Sequence, residues 1–131
     1  MIKKMTNAEL VSRANAIREM QERETESKEK LFGNKIKANY ALKKNKELFA
    51  NLLKPYEESL KELVAECCSE EGVKENKIIV KNECVQRWNS AITELLKIEV
   101  DVDVYTVKID DLDGLSLSMT DMETIDFMIE D

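Results

Sequence analysis

A mainly α-helical fold with a small β part is predicted for this 131-residue chain, and three observations predict it. Three glycines and one proline are too few for the many turns of an all-β domain. Apolar side chains recur at steps of three and four between residues 36 and 67 and again between 83 and 98. At residues 99–104 the period switches to two. The expected architecture is a long, kinked amphipathic helix paired antiparallel with a second helix, followed by a short β-hairpin and a C-terminal helix. The length fits one domain in three parts: an N-terminal helix and charged connector at 1–35, a helical hairpin at 36–98, and an acidic hairpin plus helix at 99–131.

The first helix opens at Thr6-Asn7-Ala8-Glu9. Thr6 or Asn7 can cap, and with Thr6 at the cap Glu9 takes the capping-box position. Leu10, Ala14, Ile17 and Met20 follow at helical spacing. Residues 21–30 are almost without apolar side chains and read as a solvated helix that frays, before the break signal Gly33-Asn34. In the long helix, Ile36, Tyr40, Phe49, Leu52, Tyr56, Leu60, Leu63 and Cys67 form the expected buried stripe. Asn45 falls where that stripe should continue, a polar residue of the kind that fixes register. Pro55 removes a backbone donor inside the pattern, so a kink is expected near Lys54. Residues 69–77 read as a loop around Gly72, and 77–81 as a short strand or ordered segment. Residues 83–98 read as a helix, with Val85, Trp88, Ile92, Leu95 and Leu96 facing inward.

Val100, Val102 and Val104 alternate with Asp101 and Asp103, the pattern of a half-buried strand. The apolar parity then flips around Tyr105, which a bulge or a strand covered on both faces would explain. Residues 110–114 read as a turn, Leu115 and Leu117 as the start of a second strand. Ser118 or Thr120 caps a last helix holding Met122, Ile125, Met128 and Ile129. The Val100–Ile109 strand could pair within the chain or across a dimer.

Composition excludes several chemistries. No histidine is present, which removes imidazole ligands, histidine bases and Ser-His or Cys-His pairs. Cys67, Cys68 and Cys84 are odd in number and lack CxxC spacing, so they read as reduced, core-filling thiols rather than a disulfide or zinc framework. No run of eighteen apolar residues exists, so no membrane span is expected, and the basic N-terminus lacks the apolar stretch of a signal peptide. The expectation is a cytoplasmic protein.

Charge is the most informative global feature. Residues 99–131 hold eleven acids against one base, a net −10, while the first 98 residues carry +3. Asp110, Asp111 and Asp113 precede Gly114 in a calcium-loop-like run. Placing that glycine at position six leaves Ile109 at position one and Thr120 at position twelve, so both carboxylate ends are missing. Asp101 and Asp103 share one strand face about 7 Å apart, but read as a solvated face rather than a catalytic pair. Residues 28–46 carry seven lysines and one acid. With no arginine and only Phe32 and Tyr40 as aromatics, the segment is poorly equipped to read bases, and nucleic-acid binding is a minor alternative. No catalytic group, cofactor or metal site is expected. Candidate partner-binding residues are Asp101, Asp103, Asp110, Asp111 and Asp113 on the acidic side, and Lys35, Lys37, Lys43, Lys44 and Lys46 on the basic side.

The run Tyr40, Lys44-Asn45 and Leu48, continuing to Leu63, resembles a family of small proteins of unknown function encoded by phages and prophages of Gram-positive bacteria. The resemblance continues through 95–105, Ile109-Asp110-Asp111-Leu112 and Met122 with 127–130, covering about residues 36–131. It implies a helical front half, a V-D-V strand and a terminal helix, and it carries no active site. The functional expectation is therefore a non-catalytic, phage-encoded protein that binds another protein, host or phage, such as an acidic inhibitor of a host defence enzyme. The alternative is a virion or assembly component that self-associates as a homodimer or larger oligomer.

Overall fold

The computed structural model describes residues 1–130. Strand β1 (Ile2–Thr6) leads directly into helix α1 (Asn7–Ser27). Thr6 caps α1 as expected: its hydroxyl accepts from the Glu9 amide at 3.1 Å. The helix persists through the charged stretch and stops at Lys28, which turns left-handed at φ 60°. Gly33 takes φ 51° in the turn to helix α2 (Ile36–Leu52).

Leu53 joins α2 to helix α3 (Lys54–Cys67), and Pro55 sits in the first turn of α3, so the long helix expected to kink there is instead two helices meeting at Leu53–Lys54. The segment 69–77, expected as a loop, contains a short helix α4 (Glu70–Lys74). Ser69 caps it by accepting from the Gly72 amide. Val80 makes one bridge with Cys68, and helix α5 (Val85–Lys97) returns antiparallel along α3.

The β part departs from the expected hairpin. Strand β2 (Glu99–Asp103) pairs antiparallel with the N-terminal strand β1, from Ile2 opposite Asp103 to Thr6 opposite Glu99. The V-D-V strand thus finds its partner within the chain, about a hundred residues back. Strand β3 (Val107–Lys108) pairs in parallel with strand β4 (Ile129–Glu130), and Leu115 and Leu117 lie in neither sheet. Ser118 caps the last helix, α6 (Met119–Ile125), by accepting from Asp121. Met128 and Ile129, expected on that helix, instead lie in a 3-10 turn and in β4.

One core draws Met5 from β1; Leu10, Ile17 and Met20 from α1; Phe49 from α2; Val102 from β2; and Ile125, Phe127 and Met128 from the C-terminal segment. Phe49 and Phe127 meet with ring centroids 5.3 Å apart. On α2 the buried face is Ala38, Ala41, Leu42, Asn45 and Phe49. Ile36 and Tyr40, expected on the buried stripe, lie outside. The helix turns its small and leucine side chains into the core. On α5 Val85 is exposed, and Trp88, Ile92, Leu95 and Leu96 are only half-buried.

Two cysteines expected as reduced thiols are joined: Cys67 at the end of α3 bonds Cys84 ahead of α5, with Cα atoms 5.3 Å apart. Spacing along the chain gave no hint, because the α3–α5 turn brings together residues seventeen apart. Cys68 remains a buried free thiol. Among the described residues no helix is long and apolar enough to cross a membrane.

Candidate protein-binding face

The acidic C-terminal segment is answered in part within the chain. The N-terminal ammonium meets Asp103 at 3.2 Å, Arg13 meets Asp126 at 3.2 Å, and Arg23 meets the buried Asp121 at 3.0 Å. Arg13 also lies 5.2 Å from the Phe127 ring centroid. Lys4 stands opposite Asp101 in the β1–β2 register. The charge asymmetry between front and back of the chain is thus partly internal complementarity. It zips the C-terminal elements onto α1 and β1. Asp101 and Asp103 sit on the outer side of that sheet, apart from the Asp110–Asp113 turn.

A different surface gathers the remaining candidates, and a single buried side chain organises it. Asn45 on α2 is fully buried. Its Nδ2 donates to the Tyr105 carbonyl at 2.8 Å, and its Oδ1 accepts from the Tyr105 amide at 2.8 Å. This two-way bond replaces the ladder partners the chain lacks between β2 and β3. It also explains the parity flip: Val104 and Val107 are both buried, and the backbone between them, pinned by Asn45, turns Tyr105 outward.

Tyr105 then meets Tyr40, five residues before Asn45 on α2, with centroids 6.4 Å apart and ring planes at 83°. Lys44 lies 5.8 Å from the Tyr40 centroid. After β3 the chain makes a 3-10 turn (Ile109–Leu112) in which Asp111 accepts from the Lys108 amide at 3.1 Å and faces Lys37 at 3.9 Å. Four large apolar or aromatic side chains are left in solvent here: Ile36 at 81% exposure, Tyr40 at 56%, Tyr105 at 44% and Ile109 at 52%. Asp110 and Asp113 are exposed beside them and hold no ion pair among the described residues.

The five candidate lysines divide. Lys37 and Lys44 border this face, and Lys43 is exposed on the same helix. Lys35 stands at the start of α2. Lys46 turns to α1, donating to Gln21 at 2.7 Å. With Lys30 and Lys43 it borders a depression of about 430 Å³ that also contains Glu24. A separate apolar groove of about 570 Å³ runs between α1 and the α2–α3 junction, lined by residues including Val11, Leu53 and Tyr56. No cluster of three or more acidic or cysteine side chains suited to a metal occurs among the described residues.

Sequence reasoning thus found the charged border of the face and missed its centre. The three-and-four spacing places Ile36 and Tyr40 in the core, and the structure puts both outside. The signal that could have placed them outside is the competing Ala38, Ala41, Leu42 stripe. No protein-family model matches the chain, nor does any curated protein or solved structure.

Proposed function

We propose that this chain is a non-catalytic, phage-encoded protein that works by binding another protein through the Ile36–Tyr40–Tyr105–Ile109 face. The observation that carries the reading is the exposure of those four side chains, with Tyr40 and Tyr105 in contact. Soluble proteins rarely leave such a group in water without a use. Tyrosine is favoured at interfaces because it buries a large ring at little entropic cost and keeps a polar end. The flanking Asp110 and Asp113 add steering for a cationic counterpart. The absence of histidine and of any paired nucleophile and base in the sequence supports a binding role. The acidic-inhibitor version is narrowed by the internal ion pairs, which engage Asp103, Asp121 and Asp126 and leave Asp110 and Asp113 as the charges beside this face that a partner could meet.

The test is a photo-crosslinking amino acid placed at Tyr105 and, as a control, at exposed Ser90 on α5, in cells producing the protein. A discrete adduct from position 105 and none from 90, lost when Tyr40→Ala is added, is expected. Equal adducts from both positions, or none from either, would refute the reading.

A further inference from the structure

Two features on the α1 side of α2 lie apart from the Tyr40–Tyr105 face, and they meet at one residue. The depression bordered by Lys30, Lys43 and Lys46 is cationic, and none of the three holds an ion pair among the described residues. Its one acid, Glu24, is turned to the backbone and accepts from the Leu31 amide at 3.1 Å. Asn39, Lys43 and Lys46 recur at steps of four and three, so they form one stripe of α2. In a chain of net charge −7, three unpaired lysines around one hollow are a local reversal of charge. Lys46 also borders the apolar groove. Ile17, Phe49 and Leu53 are its buried residues, and Ala14, Tyr56 and Leu60 are half-buried along it. Arg18 lines the groove from α1, with only a loose, exposed contact to Glu22 at 3.8 Å. Glu57, in the first turn of α3, is the one acid of the groove. From Val11 to Arg18 is seven residues, about 10 Å of helix rise. The seam thus has a cationic end at Lys43 and Lys46, an apolar run, and a carboxylate beside the far part of that run.

We infer that this seam binds a single-chain anionic amphiphile, such as a medium-chain fatty-acid anion free in solution. Its head lies at Lys43 and Lys46 and its tail along Phe49, Leu53 and Tyr56. Lysines alone accept any anion, and an apolar groove alone accepts any tail. Their junction at Lys46 selects a molecule that carries both. Glu57 sets the direction, because a head placed at that end would meet like charge. An acidic peptide helix would set carboxylates along the whole groove and bring some of them to Glu57. An anionic bilayer would repel a chain of net charge −7. The site stands independently of the protein-binding face, on another flank of α2, so either reading can fail alone.

The test is an NMR titration of the isotope-labelled full chain with decanoate. The amides of Lys43, Lys46 and Ala50 are expected to shift along one saturation curve, half-saturated below about 1 mM. Hexanoate is expected to bind about tenfold more weakly, because fewer methylenes leave water. Decanol, with the same tail and no charge, is expected to be weaker by about tenfold as well. Lys43→Gln with Lys46→Gln, and separately Ala50→Glu in the groove, should each weaken decanoate about tenfold or more. These positions are exposed, and an unchanged thermal midpoint checks that each variant folds. Lys44→Gln removes the same charge one residue away, beside Tyr40, and is expected to bind as the wild type does. No saturation by about 10 mM decanoate would overturn the site. So would decanol binding as tightly as decanoate, or Lys44→Gln weakening binding as much as the Lys43 and Lys46 changes. Binding to phosphatidylglycerol vesicles with none to free decanoate would overturn it too.

Discussion

Replacing Asn45 by alanine should both destabilise the fold and disorganise the face. The side chain is fully buried and satisfies the amide and the carbonyl of Tyr105, each at 2.8 Å. Alanine deletes both bonds. The two backbone groups lose their partners in a part-buried site, where each unsatisfied group costs about 1–3 kcal/mol. Because Tyr105 lies near the surface, water recovers part of that cost, and a net loss of about 3 kcal/mol is expected, small-cavity penalty included. Urea unfolding measures it as a lower midpoint at unchanged slope. Asn45→Leu separates the contributions: it refills the volume and restores neither bond, so it should recover less than half of the loss. Hydrogen exchange gives the local reading, since the Tyr105 amide should lose its protection in both variants. A loss below about 0.5 kcal/mol, the range of an ordinary surface change, or a Tyr105 amide that stays protected, would refute the assignment of Asn45 as the clamp of this segment.

Three further outcomes follow from the fold. Reducing the Cys67–Cys84 bond reopens a seventeen-residue loop, which the chain-entropy estimate puts at about 3 kcal/mol. Thermal melts with and without a thiol reductant should differ by roughly 10 °C, and identical melts would mean that the bond does not form. Met5→Ala removes a buried side chain from β1 and should cost about 2–4 kcal/mol in chemical unfolding. A near-neutral result would contradict the pairing of β1 over the core. Asp121→Asn breaks the partly buried pair with Arg23, with an expected loss of about 1 kcal/mol after allowing for the half-exposed arginine. Loss of that difference in the double variant with Arg23→Gln would confirm the pair, and strictly additive losses would deny it.

Local signals in the sequence were legible where one residue type has one physical use. Thr6 and Ser118 cap because their hydroxyls satisfy an open amide, and Pro55 interrupts the long helix because it lacks a donor. Asn45 stood out as a polar residue in an apolar seam, although its partner lay sixty residues away. What escaped were choices made by tertiary packing. Strand β1 contributes Met5 as its one fully buried residue, so its alternation was too weak to announce a strand that meets β2 across most of the chain. Periodicity on α2 points to a stripe through Ile36 and Tyr40, and packing in the core selects instead the face with the alanines. That choice put Ile36 and Tyr40 in solvent and created the face. The flanking charges, Lys37, Lys43, Lys44, Asp110 and Asp111, could be named in advance because they are polar wherever the helix turns.

The central claim, that a partner protein covers the Tyr40–Tyr105 face, is tested most directly by fluorine NMR with fluorotyrosine. The chain has three tyrosines, and Tyr56 in the α1–α3 groove is an internal control away from the face. Adding the partner captured by the Tyr105 crosslink should shift the Tyr40 and Tyr105 resonances together while Tyr56 stays fixed. Movement of Tyr56 alone, or three resonances insensitive to that partner, would contradict the account.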